Sequence, residues 1–199
     1  MSTSVSAVFR ELLRDRLSGI AELSDAQAAA LESHYNLLVR WNRTLNLTAI
    51  KDLAEVVERH YCESIFLAAR LAAGPVRIVD MGSGAGFPGL PVAVCRPDCQ
   101  LTLIESHQRK AAFLKEAARG LANVRVLGRR AEEVQEQFDL AISRAVSYRD
   151  LSATLKALAP AADLLSGAEN PPAEMGFLWG APIPLPWGKQ RYLWIGHRA

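Results

Sequence analysis

The chain has 199 residues, half of them apolar and 22% charged, which suits one core-bearing unit with a modest extension. Residues 1–17 carry Arg10, Glu11, Arg14, Asp15 and Arg16, so they read as neither a signal peptide nor a membrane span, and no later apolar run is long enough to cross a bilayer. A cytoplasmic monomer is expected, and a formal charge of +2 does not by itself announce a nucleic-acid partner.

The first part of the chain reads as helical. Ser24 can cap a segment whose apolar positions Ala28, Leu31, Tyr35, Leu38 and Trp41 recur at helical spacing. Asp52 can cap another that carries Val56, Val57, His60, Ile65 and Leu67. Between them, residues 41–48 (Trp-Asn-Arg-Thr-Leu-Asn-Leu-Thr) read as a polar, aromatic loop.

Gly74-Pro75 breaks this pattern, and strand and helix then alternate. Residues 76–80, 101–105, 124–127 and 138–143 read as buried strands, with helices over residues 107–120 and 131–137. Such alternation predicts an α/β fold, Rossmann-like, with a mainly parallel sheet and an N-terminal helical cap. The division expected is a helical extension over residues 1–73 packed on a core over residues 74–199. From about Ala161 the chain is rich in proline and aromatic residues, and Leu193-Trp194-Ile195 reads as a closing strand.

Directly after the first strand, Asp80-Met81-Gly82-Ser83-Gly84-Ala85-Gly86-Phe87-Pro88-Gly89 forms a glycine-rich loop where such sheets bind ligands. Residues 84–89 formally satisfy G-x-G-x-x-G, the dinucleotide fingerprint, but begin several residues late. Asp80 also opposes a pyrophosphate, which wants a bare helix N-terminus. S-adenosylmethionine carries an ammonium and a sulfonium and no phosphate, so a nearby carboxylate favours it. Glu105, ending the second strand, can take ribose hydroxyls in either cofactor. Glu132, in Arg129-Arg130-Ala131-Glu132-Glu133, can meet an adenine amino group or can equally be part of an exposed helix start.

Cys62, Cys95 and Cys99 form no CxxC pair and match no zinc spacing, so free thiols and no metal are expected. None follows the fourth strand, which disfavours cytosine-C5 chemistry through a nucleophilic thiol. Asn170-Pro171-Pro172-Ala173 resembles an amino-methyltransferase motif, but it lies too late and ends without an aromatic. Of 23 basic residues 18 are arginine, a bias that suits phosphate and base edges and that codon usage explains equally well.

Trp41-Asn42 with Asn46-Leu47-Thr48, Arg59-His60 with Glu63-Ser64, Asp80 to Pro91, Glu105-Ser106 with Arg109-Lys110 and Phe113-Leu114, and Phe138-Asp139 with Ile142 to Ala145 stand in a characteristic order. In that order the chain resembles the bacterial glucose-inhibited division protein B family, methyltransferases acting on N7 of a guanine in 16S ribosomal RNA. The resemblance implies S-adenosylmethionine as cofactor and the small-subunit RNA, or the subunit itself, as partner. Carried over by position, it puts cofactor contacts on Gly82, Phe87, Ala131, Glu132 and Arg144, beside Asp80, Ser83, Gly84, Gly86 and Glu105 of the loop reading. Arg144, after the fourth strand, is expected to position the reacting groups.

Guanine N7 already exposes a lone pair, so no general base is required. Asn46, Arg59, His60 and Arg191 are the expected substrate contacts, with Arg40, Arg43 and Lys51 on the same side; a solvated face explains these charges equally, and His60 can be a core histidine. Where the family carries a lysine after its fifth strand this chain has Ser166, and the segment from Ala168 to Trp187 is shortened. Other acceptors, or a non-catalytic RNA-binding protein with this fold, remain the alternatives to separate.

Overall fold

The structure, a computed structural model, describes residues 2–199, with the side chains of residues 2–6 and 153 outside the description. The chain begins with helices α1 (Ser2–Leu17) and α2 (Asp25–Asn42). A third helical stretch runs from α3 (Leu53–Val56) through a π-helical turn (Val57–Cys62) into α4 (Glu63–Ala68). Ser24 and Gln27 form a reciprocal capping box at the start of α2, and Asp52 accepts the Glu55 amide at 2.9 Å. Leu31, Tyr35 and Leu38 of α2 are buried, as their helical spacing requires. Phe9 of α1 stacks on Tyr35 with ring centroids 4.9 Å apart.

α2 runs through Trp41 and Asn42, so the predicted loop is shorter than expected. The Asn42 side chain organises what remains. Its Oδ1 accepts the Leu47 and Thr48 amides at 2.8 and 3.0 Å, and its amide donates to the Thr48 carbonyl at 2.9 Å.

Five strands run parallel: β1 (Arg77–Met81), β2 (Gln100–Ile104), β3 (Val124–Leu127), β4 (Leu140–Arg144) and β5 (Ala161–Ser166). α5 (Gly89–Cys95), α6 (Gln108–Ala117) and α7 (Tyr148–Leu158) supply the crossovers. β8 (Tyr192–Arg198) returns antiparallel to β5. Its other edge takes β6 (Phe177–Trp179) and β7 (Ile183–Pro184), separated by residues 180–182. The order is β3-β2-β1-β4-β5-β8-β6, so successive connections diverge between β1 and β4, and a crevice opens at their carboxyl ends.

The helix expected over residues 131–137 is instead one 3₁₀ turn, Ala131–Glu133, with Val134 already extended. Within residues 131–137 only Val134 is buried, so a longer helix has no apolar stripe to bury. α6 likewise ends at Ala117, short of the expected residue 120.

The sheet's two faces pack separately. Ile78, Leu101, Leu103 and Ile142 face the N-terminal helices in one cluster that includes Phe9, Leu31 and Tyr61. Val79, Met81, Ile104 and Ala141 face α7 and the C-terminal strands in another. Among the described residues no helix is long and apolar enough to cross a membrane, and no group of three His, Cys, Asp or Glu side chains could hold a metal.

Candidate active site

The glycine loop leaves β1 at Met81 and crosses the ends of β1 and β2. The Gly82 and Ser83 amides both donate to the Ile104 carbonyl, at 3.1 and 3.0 Å. Gly82, Gly84 and Gly86 have φ of +71°, +54° and +91°, a run that side-chain-bearing residues rarely adopt. Gly82 is exposed and Gly84 half-buried, whereas Ser83, Ala85 and Gly86 turn inward. Bare backbone therefore faces the crevice.

That crevice, of about 290 Å³, is lined by Gly82, Glu105, Arg130, Ala131, Glu132 and Val146 among others. Its volume lies at the small end of ligand clefts, roughly 300–1,000 Å³. Glu105 Oε2 accepts the Gly84 amide at 3.0 Å and Oε1 accepts the His107 amide at 2.7 Å. Each oxygen keeps a lone pair for hydroxyls of a bound ligand. Val146 closes the crevice over Gly82, where a Cβ would lie 2.7 Å from its Cγ2.

On the cap side of the loop a different chemistry assembles. Glu63, at the start of α4, has a side chain with no solvent exposure. Its carboxylate accepts from Arg144 Nε at 3.2 Å and from Arg191 Nε and Nη2 at 3.0 and 2.6 Å, with Arg59 3.7 Å away. Three guanidinium groups thus surround one carboxylate. Burial presses the Arg144 pKa down while Glu63 holds it up. Arg144 is joined to the crevice through Ala145, whose φ of +59° is rare for a residue with a side chain, and then Val146.

His60, beside this cluster, is buried; its Nε2 meets Thr48 Oγ1 at 2.8 Å and its ring stacks on Phe87 at 4.5 Å. Burial first, then Arg144 and Arg59, push its pKa down to about 3, so the ring is neutral at pH 7.

The family described as rRNA small subunit methyltransferase G matches residues 27–162. The chain belongs to this family. A protein named ribosomal RNA small subunit methyltransferase G from Chromobacterium violaceum is 41% identical over 140 residues, covering 68% of this chain and 66% of that one. One of the same name from Xanthomonas campestris pv. campestris is 47% identical over 111 residues, 55% of this chain and 51% of that one. The matched stretches therefore span from about half to just under two thirds of these relatives' lengths. Among solved structures, a SAM-dependent methyltransferase from Aquifex aeolicus aligns with a TM-score of 0.57 at 15% identity, covering 73% of this chain and 93% of that one. The Methanococcus jannaschii fibrillarin pre-rRNA processing protein aligns at 0.52 and 16%, covering 62% and 66%. At such identities the likeness is one of fold.

The family's motif residues fall into two groups on either side of the loop. Gly82, Glu105, Ala131 and Glu132 meet at the crevice, with Gly84 beside them. Arg59, Arg144 and Arg191 meet at Glu63 instead, so the Arg144 side chain lies on the cap side and not among the crevice residues. Asn46 is exposed in the loop pinned by Asn42. Arg40 turns to Glu116, at 2.5 Å.

Four of the loop residues expected at the cofactor lie behind the crevice surface. Asp80 is fully buried and does not present its charge to the crevice: Oδ2 accepts the Gly89 amide at 3.0 Å, and burial raises its pKa to about 7. Ser83 is buried, and its hydroxyl donates to the Asp80 carbonyl at 3.1 Å. Gly86 is buried because Leu90 Cδ1 stands 2.4 Å from where its Cβ would be. Phe87 packs among His34, His60 and Tyr61, so its ring serves the cap contact. These residues shape the loop from behind. His60, too, is buried, between Thr48 and Phe87.

Sequence reasoning missed Glu63 and Val146 as site residues. Glu63 does carry a signal: in the sequence it stands at α-helical spacing from Val56, His60 and Leu67, where a carboxylate among buried neighbours has to find partners.

Proposed function

We propose that the chain is an S-adenosylmethionine-dependent methyltransferase acting on N7 of a guanine in 16S ribosomal RNA. The observation that carries this reading is the crevice in which the bare backbone of Gly82 lies beside Glu105 and Glu132, with the Gly84 amide held on Glu105, in a chain of this family. Gly82 and Gly84 offer close backbone approach, Glu105 offers acceptor capacity for ribose hydroxyls, and Glu132, also lining the crevice, offers an acceptor for an adenine amino group. These residues fit the cofactor, and the Gly89 amide, at the helix end where a phosphate would sit, is taken by Asp80. When bound, S-adenosylmethionine supplies an electrophilic methyl on a positively charged sulfur.

The chain's own part is positioning. N7 of guanine presents its lone pair without losing a proton, so the crevice need not supply a proton acceptor for the attack. Arg144, fixed by Glu63, and Arg191 and Arg59 around it supply an excess of positive charge beside the loop. Such a cluster suits the phosphates that flank a target nucleotide. Holding the acceptor against the donor can supply most of the rate enhancement. The Tyr148 hydroxyl pairs with Ser166 Oγ at 2.6 Å, so the position of the family's lysine is filled by a neutral contact here.

Titration calorimetry tests the cofactor directly. S-adenosylmethionine should bind the parent protein, Gly82→Arg should abolish binding, and NAD should give no heat. Binding of NAD in preference, or of neither, contradicts the proposal.

A further inference from the structure

His34 lies on α2, in the helical cap, and touches the loop from the side opposite Glu105. It is buried, its Nε2 3.0 Å from the Ala85 carbonyl and its Nδ1 3.0 Å from the Tyr61 hydroxyl. A carbonyl oxygen only accepts, so Nε2 carries the proton. In the neutral ring Nδ1 is then bare and accepts from Tyr61. Burial keeps the imidazole neutral by lowering its pKa to about 4, against the raising effect of Ala85. Burial likewise raises the pKa of Tyr61 well above its ordinary value, so the phenol keeps its proton to donate.

The Tyr61 hydroxyl, the His34 ring and the Ala85 carbonyl thus form a directed chain. Ala85 sits between Gly84 and Gly86, both at positive φ. The amide of Gly84 is held by Glu105 from the crevice side, and the carbonyl of Ala85 is held by His34 from the cap side. A segment with this much backbone freedom loses much entropy on ordering, and fixing both sides offsets that loss. A Cβ on Gly86 would stand 3.4 Å from His34 Nε2, so the ring abuts the loop with no side chain between.

We propose that His34 is a positioning residue that sets the conformation of the ligand loop from the helical cap, its tautomer fixed by the Ala85 carbonyl and its ring held by Tyr61. The inference rests on the proposed cofactor only for its effect on affinity; the tautomer and the loop's order are properties of the free protein.

Three variants and two measurements test it. His34→Leu removes the donor, His34→Gln keeps an amide donor of similar reach, and Tyr61→Phe removes the donation to Nδ1. S-adenosylmethionine affinity should fall at least tenfold in His34→Leu and stay within about threefold in His34→Gln. In the free protein, nitrogen-15 spectra should show the Nε2–H tautomer. Amide exchange at Gly84–Gly86 should quicken in Tyr61→Phe and His34→Leu more than elsewhere. Should His34→Leu not fold, the tautomer and Tyr61→Phe decide.

An Nδ1–H tautomer, unchanged exchange at the loop, or equal losses in the Gln and Leu variants would overturn the inference. A parent protein that does not bind S-adenosylmethionine would instead refute the proposed function, and the tautomer and exchange would still judge His34.

Discussion

Arg191, in the final third of the chain, and Glu63, in the helical cap, form a two-pronged ion pair at 3.0 and 2.6 Å across 128 residues of sequence. Because Arg144 of β4 shares the same carboxylate, one buried side chain ties the cap, the sheet centre and the C-terminal strand together. A buried ion pair of this kind is weak evidence for stability gained, since desolvation opposes it. Removing one member of it is a different matter.

Glu63→Ala leaves the largely covered Arg144 and Arg191 without their shared anion and should destabilise the fold by about 3–5 kcal/mol. Arg191→Leu, which leaves Arg144 and Arg59 on the carboxylate, should cost less. Urea denaturation of both variants checks the ranking, and equal losses would contradict the central place of Glu63.

Gly82 bears two separable constraints, its φ of +71° and the Cγ2 of Val146, which stands 2.7 Å from where a Cβ would be. Gly82→Ala should weaken S-adenosylmethionine binding, and adding Val146→Ala should restore the steric part only. The backbone part, about 1–2 kcal/mol, should persist in the thermal stability of the double variant. Full restoration of both would show that the backbone conformation is not required.

Arg59 is the most exposed of the three arginines, with a side chain 34% accessible. If it meets RNA phosphate, Arg59→Ala should make the plot of log affinity against log salt shallower by about 0.7 for each phosphate the guanidinium neutralises. Filter binding to a 16S fragment across a salt series reads this. An unchanged slope would assign Arg59 to structure alone.

Two carboxyls and two histidines set opposite pH dependences. Burial raises the pKa of Asp163 from 3.8 to about 7, and Asp80 lies at about 7 also. Between the ordinary and the raised value the folded protein binds more protons than the unfolded chain, so their contribution makes stability fall as pH rises from about 4 to about 7. His34 and His60, lowered from 6.5 to about 4 and about 3, act the other way: below pH 6.5 the unfolded chain binds more protons, and stability rises with pH. Asp163→Asn removes one carboxyl alone. Its melting temperature relative to the parent should climb between pH 4 and pH 7 and level above; a constant difference would contradict the burial argument.

Much of the fold was legible because its signals are local. Ser24 and Asp52 announce their caps, and the apolar runs of β1, β2 and β4 are bounded by breakers and polar residues. The glycine loop was legible as a ligand loop for the same reason. Other features depend on distant partners. The π-helical turn at Val57–Cys62 reorients the face that carries Arg59, His60 and Tyr61, and no periodicity within those six residues marks it. Asp80 read as a charge beside the ligand, yet its carboxyl turns inward to the Gly89 amide, nine residues on. The grouping of Arg59, Arg144 and Arg191 on Glu63 depends on the order of strands, which brings β4 and β8 to the same cap.

Transfer of labelled methyl from S-adenosylmethionine to small-subunit ribosomal RNA lacking the modification, followed by nucleotide mapping, tests the central claim most directly. The account predicts label at N7 of a single guanine of 16S RNA, lost in Gly82→Arg. Label on another base or molecule, or none from a protein that binds the cofactor, would contradict it.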